Sequence, residues 1–221
     1  MRCTAETIAR QANKEDQTTG RFWQGRYRAQ RLLDEASILA CAAYVDLNPV
    51  RAALADRPEN SDFTGAKDRI DDLKQRQGTK RENLRKSTHQ WERSRARSKS
   101  GWMAPIEINE RTDPVGCDGD YSGRRASKKG FLSIPMAQYL ELHDWTGRQI
   151  RAGGRGSIRQ HLAPILSRIG LDSNSWCDVV RKFGKIFKRA AGSQQSMTEE
   201  AKRRNQSHMQ APGSTLLGAS S

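Results

Sequence analysis

The sequence predicts a predominantly α-helical chain with one clear strand and a long disordered linker between two ordered regions. Three observations carry this. Apolar residues make up 35% of the 221 positions, against roughly 45–50% in an ordinary globular protein, so part of the length cannot be buried. Most apolar residues that do cluster recur at helical spacing, and one stretch, Arg21 to Gln30, alternates with period two.

Thr4 to Ala12 reads as a short helix, with Thr4 as its N-cap and Ile8 as its main apolar contact. After Gly20 the pattern switches. Trp23, Gly25, Tyr27 and Ala29 point one way and Gln24, Arg26, Arg28 and Gln30 the other, a strand with one wet, basic face. Asp34 is a good N-cap for Glu35 to Leu47, whose Ile38, Leu39, Ala42, Ala43 and Val45 make a helix apolar around most of its surface, ending at Asn48-Pro49. Ser61 caps a further helix carrying Phe63, Ala66, Ile70 and Leu73.

From Gln75 to Gly130 the apolar signal fades apart from islands at Trp102 to Ile108, and the segment reads as a mostly disordered basic linker. Order returns with Pro135 in the first turn of a helix bearing Met136, Tyr139, Leu140 and His143, and Pro164 opens a short turn that Gly170 closes. Ser173 to Ala191 has the cleanest pattern: Trp176, Val179, Val180, Phe183 and Phe187 form one stripe, with Arg181, Lys182, Lys185, Lys188 and Arg189 largely off it. Met197 to Met209 reads as one more basic helix, and the end as frayed. The expected organisation is therefore residues 1–74, a linker 75–130, a helical region 131–210 and a disordered tail 211–221.

Charge supplies the first functional clue. Thirty-nine Lys and Arg against 25 Asp and Glu give +14, and Gln75 to Ser100 alone holds nine basic and two acidic residues, a local +7. Such an excess attracts polyanions by counterion release, which makes nucleic acid the expected partner. Without an apolar run of about 18 residues or an apolar segment near Met1, neither a membrane span nor secretion is expected. Cys3, Cys41, Cys117 and Cys177 lie far apart with no CxxC, which suits reduced thiols in a cytoplasm.

On the helix Glu35 to Leu47, at about 100° per residue, Ser37, Cys41, Tyr44 and Asn48 share one side, and Asp46 and Glu35 fall on the other. A phenol followed four residues later by an amide can place a nucleophile beside a metal ligand or phosphate-binding group. On spacing alone the plainer reading is a core tyrosine whose hydroxyl Asn48 satisfies.

The stretch Gly20-Arg-Phe-Trp-Gln-Gly-Arg-Tyr-Arg to Ala43-Tyr-Val-Asp-Leu-Asn-Pro-Val-Arg-Ala resembles the REP-associated tyrosine transposases, single-tyrosine members of the HUH endonuclease group. The resemblance runs from the first residues through Asp62-Phe63-Thr64 and resumes at Tyr139 to Gly147 and Ala163 to Phe187, in the pattern of large bacterial members. Its specific part is Tyr-x-x-x-Asn-Pro-Val-Arg, from Tyr44 to Arg51. The resemblance implies an α+β fold with a ferredoxin-like core. It implies that Tyr44 attacks a DNA phosphate, leaving a 5′-phosphotyrosine link and a free 3′-hydroxyl. It also implies a divalent ion, Mg²⁺ or Mn²⁺, acting as Lewis acid on that phosphate and held by Asn48 with two histidines of a His-hydrophobic-His strand. Single-stranded or hairpin DNA is the implied partner, with Arg26, Arg28 and Arg51 as candidate contacts alongside Arg181, Lys182, Lys185 and Lys188. Arg26 and Arg28 could also be a solvated strand edge.

One departure stands out: no histidine precedes His89, and His89, His143, His161 and His208 are never two residues apart. A phenol is a poor nucleophile without a polarised phosphate, so the expectation is a transposase-like DNA-binding protein that is catalytically inactive alone, from a truncated or mis-started frame. The competing expectations are a non-catalytic DNA-binding module, a helix-turn-helix regulator built from Pro164 to Gly170 and Ser173 to Ala191, and a remnant without function.

Overall fold

The computed structural model describes residues 2–26, 29–82, 102–109, 126–127, 129–150, 164, 166 and 172–206. They contain seven helices and a two-stranded parallel sheet, and the chain divides into two compact units, Met1–Gln30 and Arg31–Ser221. The boundary at Gln30 differs from the one expected after residue 74. Beyond it, the helices on either side of the basic stretch share a single core.

The first unit holds α1 (Arg2–Glu15). Thr4 lies inside this helix and does not cap it. Gln17 at φ 51° turns the chain away and Gly20 takes φ 110°, a conformation favourable for glycine. The expected strand is not formed: among the described residues from Arg21 to Gln30 there is no strand, and Tyr27 and Arg28 lie outside the described set. The Trp23 indole N–H instead donates to the carbonyl of Ala5 on α1 at 2.9 Å, which takes Trp23 out of any alternating face. Phe22 packs edge-on against it, centroids 4.7 Å apart.

The second unit opens with β1 (Arg31–Leu32), which pairs in parallel with β2 (Ala190–Ala191). Asp34 caps α2 (Glu35–Asp46): its carboxylate accepts from the Ser37 N–H while the Ser37 hydroxyl accepts from the Asp34 N–H, a reciprocal capping box. The other Asp34 oxygen accepts from the N–H of Ser193 at 2.6 Å. Ser193 is itself the N-cap of α7 (Gln194–Arg203), so one carboxylate ties together the starts of two helices.

α3 (Asn48–Arg51) and a 3₁₀ turn (Pro58–Asn60) lead to α4 (Gly65–Glu82). Its cap is Thr64, whose hydroxyl oxygen accepts from the Lys67 N–H, and not Ser61 as expected. Phe63 therefore precedes the helix, at φ 63° and fully exposed, and contributes nothing to the core. α4 also runs eight residues past Lys74 into the expected linker. A second part of that segment is ordered: Met103 and Ile106 are buried, and Glu107 bridges Leu132. Gly130 permits this approach, since a Cβ there would lie 1.9 Å from the carbonyl oxygen of Glu107.

α5 (Met136–Ile150) and α6 (Ser173–Ile186) complete the core. Asp172 caps α6 by accepting from the N–H groups of Asn174 and Ser175. Trp176, Val179, Val180, Phe183 and Phe187 are buried with Leu39, Ala40, Ala43 and Leu47 of the α2 region, as the stripe predicts. Burial of each large side chain is worth about 1.5–3 kcal/mol. Val45, one of the residues that make this helix apolar around most of its surface, is exposed. α6 ends at Ile186, with Phe187 already extended as its C-cap, earlier than the expected Ala191, because the chain must extend to form β2. Of the Pro164 to Gly170 turn, Pro164 and Leu166 are helical and the rest lies outside the described residues. Among the described residues no helix is long and apolar enough to cross a membrane.

Candidate functional site

Tyr44 lies in the last turns of α2, half-buried. Its ring packs on Phe183 of α6, centroids 5.7 Å apart and tilted 35°. The guanidinium of Arg51 also stands 4.4 Å from the ring centroid, a cation–π contact. α3 makes this possible: Pro49 at its start favours a helical turn, which swings Arg51 back over the residue seven positions earlier. Asn48 is exposed, and its amide oxygen accepts from Arg51 at 3.4 Å. The structure thus brings Arg51 of the Tyr-x-x-x-Asn-Pro-Val-Arg segment against both Tyr44 and Asn48, with the described hydrogen bond of Asn48 going to Arg51 and not to the phenol.

The Tyr44 hydroxyl points at Gly184, where a Cβ would lie 3.1 Å from it. Gly184 is exposed, and so are Arg181 and Lys185 on the same helix and Lys188 just beyond it. The phenol therefore lies against the one α6 position that has no side chain, next in sequence to the exposed Lys185 and three residues from the exposed Arg181. Arg181 and Lys182 both pair with Asp178, Lys182 at 3.6 Å. Exposed pairs of this kind contribute little and exchange readily for another anion. Arg26 is exposed in the first unit, and Arg28 lies outside the described residues.

These residues do not fit a divalent ion. Asn48 supplies one neutral oxygen that already accepts from a guanidinium, which a metal ion would have to approach against charge. Among the described residues no group of three or more His, Cys, Asp and Glu is placed to hold a metal.

A second polar cluster escaped the sequence reading. Asp46, assigned by the helical wheel to the side away from Tyr44, is buried there, not solvated. It accepts from the Gly65 N–H at 3.0 Å and from the Tyr139 hydroxyl at 3.0 Å. His143, wholly buried, donates from Nδ1 to the Tyr139 carbonyl at 2.8 Å and holds Nε2 3.8 Å from the Asp46 carboxylate. Burial holds the imidazole below its usual pKa, outweighing the attraction of Asp46. Burial and the neighbouring Asp46 charge push the Tyr139 phenol well above its own. An acid inside an otherwise apolar helix was the available signal. The cluster is sealed in the core and cements α2, α4 and α5 together. No protein-family model, no curated protein and no solved structure matches the chain.

Proposed function

We propose that the chain is a DNA-binding protein of the REP-associated tyrosine transposase kind, engaging single-stranded or hairpin DNA along the exposed basic face of α6. The supporting observation is the packing of the Tyr44 hydroxyl against Gly184, on the helix that exposes Arg181 and Lys185, with Arg51 over the ring. A phosphate drawn to those cations would lie beside the phenol, where the resemblance puts the nucleophile. The family's ferredoxin-like core is the finer reading of the fold that goes with this, α2 being its tyrosine helix. Binding, and not strand cleavage, is the activity proposed for this polypeptide by itself, because among the described residues the groups around Tyr44 and Asn48 do not make a metal site.

Electrophoretic shift of a hairpin oligonucleotide across a salt series tests this. Affinity should fall steeply with salt, and replacing Arg181 and Lys185 together by alanine should reduce the slope of log K against log salt by about 1.4–1.8, at roughly 0.7–0.9 per phosphate contact. Absence of binding, or a slope unmoved by the double substitution, would overturn the proposal.

A further inference from the structure

Glu200 on α7 is 4% exposed, yet it serves three arginines. Arg203 binds it bidentately, Nε to Oε2 at 2.8 Å and a terminal nitrogen to Oε1 at 2.9 Å. Arg204 donates to Oε1 from Nε at 2.5 Å, and Arg31 of β1 donates to the same oxygen at 2.5 Å. One guanidinium is enough to neutralise a carboxylate. Three leave the cluster at +2, with their like charges held together through a single anchor. Neutralising Glu200 does not explain this excess, because each added cation has to be drawn in against the others' repulsion.

The arginines are also presented outward. Their side chains are 49% exposed for Arg31, 59% for Arg203 and 30% for Arg204, while the carboxylate that orders them is hidden. A guanidinium whose orientation is fixed loses less side-chain freedom on binding an anion, and its planar donor edge matches a phosphate. The position in the fold adds to this. Arg31 donates its backbone N–H to the carbonyl of Arg189 at 3.1 Å, so the cluster begins where the basic series Arg181, Lys185, Lys188 ends.

We infer that Arg31, Arg203 and Arg204, preorganised by Glu200, form a binding site for the phosphodiester backbone of nucleic acid that extends the α6 face. The inference rests on the DNA-binding reading above and adds to it a site on a different helix and strand. A mainly structural role for the cluster would predict a fall in thermal stability on removing an arginine and no change in binding.

The test uses the full chain and a fluorescein-labelled hairpin oligonucleotide, read by anisotropy over a salt series for wild type, Arg31→Ala/Arg203→Ala, Arg203→Ala alone and Arg181→Ala/Lys185→Ala. The expected result is a slope reduced by about 0.7–0.9 in Arg203→Ala and by about twice that in the arginine double variant. Arg203 is the most exposed of the three and lies in the last turn of α7, so its single substitution leaves a folded protein even if the double variant does not, and Arg203→Lys should restore the slope while only partly restoring affinity. Wild-type binding with an unchanged slope in Arg203→Ala would overturn the site and leave the α6 reading standing, provided Arg181→Ala/Lys185→Ala weakens binding. No binding by wild type would overturn both. An equal loss for inorganic phosphate and the oligonucleotide would show an isolated anion site, not a backbone track, and would overturn the inference as stated.

Discussion

The hydroxyl of Tyr44 lies against Gly184, so closely that the first carbon of any side chain there would stand 3.1 Å from it. Gly184 lies in the last turn of α6, and the absence of a side chain there is what leaves room for the phenol.

This contact sets two opposed effects on a Gly184→Ala substitution. A glycine inside a helix costs about 1 kcal/mol relative to alanine, so the change should stabilise α6. The phenol must then yield by a few tenths of an ångström, which offsets the gain. In the wild-type background the net change in urea-unfolding free energy should be near zero. In a Tyr44→Phe background, where the hydroxyl is gone, the same substitution should stabilise by about 1 kcal/mol, so the two positions couple by about that amount. Identical effects in both backgrounds would show that the two groups do not touch.

The elements that were legible in the sequence are those fixed by neighbours a few residues away. Asp34 and Ser37 set the start of α2, and the stripe from Trp176 to Phe187 set the buried face of α6. What was not legible depends on distant partners. Trp23 alternates with Gly25 as a strand residue would, but its indole finds the Ala5 carbonyl. Asp46 has polar character on a helix that is apolar nearly all round, so the wheel could not tell buried from solvated; Tyr139, 93 residues later, decides. β1 is two residues long and exists because Ala190 and Ala191 offer it an edge. The wheel put Asn48 beside Tyr44, but it is Arg51 that covers the ring; in the Glu200 cluster Arg203 and Arg204 stand at helical spacing, whereas Arg31 lies 169 positions away and left no local trace.

Tyr139 donates to a buried carboxylate, and a hydrogen bond to a charged group typically contributes about 1.5–3 kcal/mol. Tyr139→Phe keeps the ring and its packing and removes that donor. Urea denaturation should show a loss in that range. Asp46→Ala should cost more, because it also strands the Gly65 N–H at the start of α4. A Tyr139→Phe protein as stable as wild type would mean that Asp46 does not depend on this bond.

Burial lowers the His143 pKa from its usual 6.5, outweighing the pull of the adjacent Asp46 charge. Asp46, Tyr139 and Arg69 face the ring from α2, α5 and α4. Between that lowered value and 6.5 the unfolded chain binds a proton that the folded chain does not, so stability rises with pH there. On acidification, stability should begin to fall near pH 6.5 and level off once the folded imidazole is also charged. Asp34 titrates below its usual 3.8, since backbone and side-chain hydrogen bonds from Ser193 and Ser37 outweigh its desolvation; its contribution, present above 3.8, is lost only at lower pH. The two windows are separate. Unfolding free energies of wild type and His143→Gln from pH 7.5 to 5 should diverge, the variant losing the slope; parallel curves would count against a depressed His143.

The last expectation concerns chemistry at Tyr44. Strand cleavage would need the phenol to shed its proton as its oxygen attacks phosphorus, and would need the phosphate charge to be masked so that the phenolate can approach. Among the described residues, Phe183, Gly184 and Arg51 contact Tyr44, and none of these takes up a proton at neutral pH. Arg51 can steady a phosphate, but it also draws on the amide oxygen of Asn48, the group that the family resemblance assigns to a metal ion. A neutral oxygen beside a cation is a poor replacement for water on Mg²⁺. Incubated with Mg²⁺ or Mn²⁺ and a labelled hairpin oligonucleotide, the 221-residue chain should therefore shift the DNA in a native gel and leave no covalent band on a denaturing one. Tyr44→Phe should bind within about twofold of wild type, because one neutral hydroxyl adds little to a phosphate-dominated interaction. Arg51→Ala should weaken binding and lower the salt slope by about 0.7–0.9. A denaturation-resistant adduct formed by the wild-type chain and lost in Tyr44→Phe would show that the site as built already cleaves DNA.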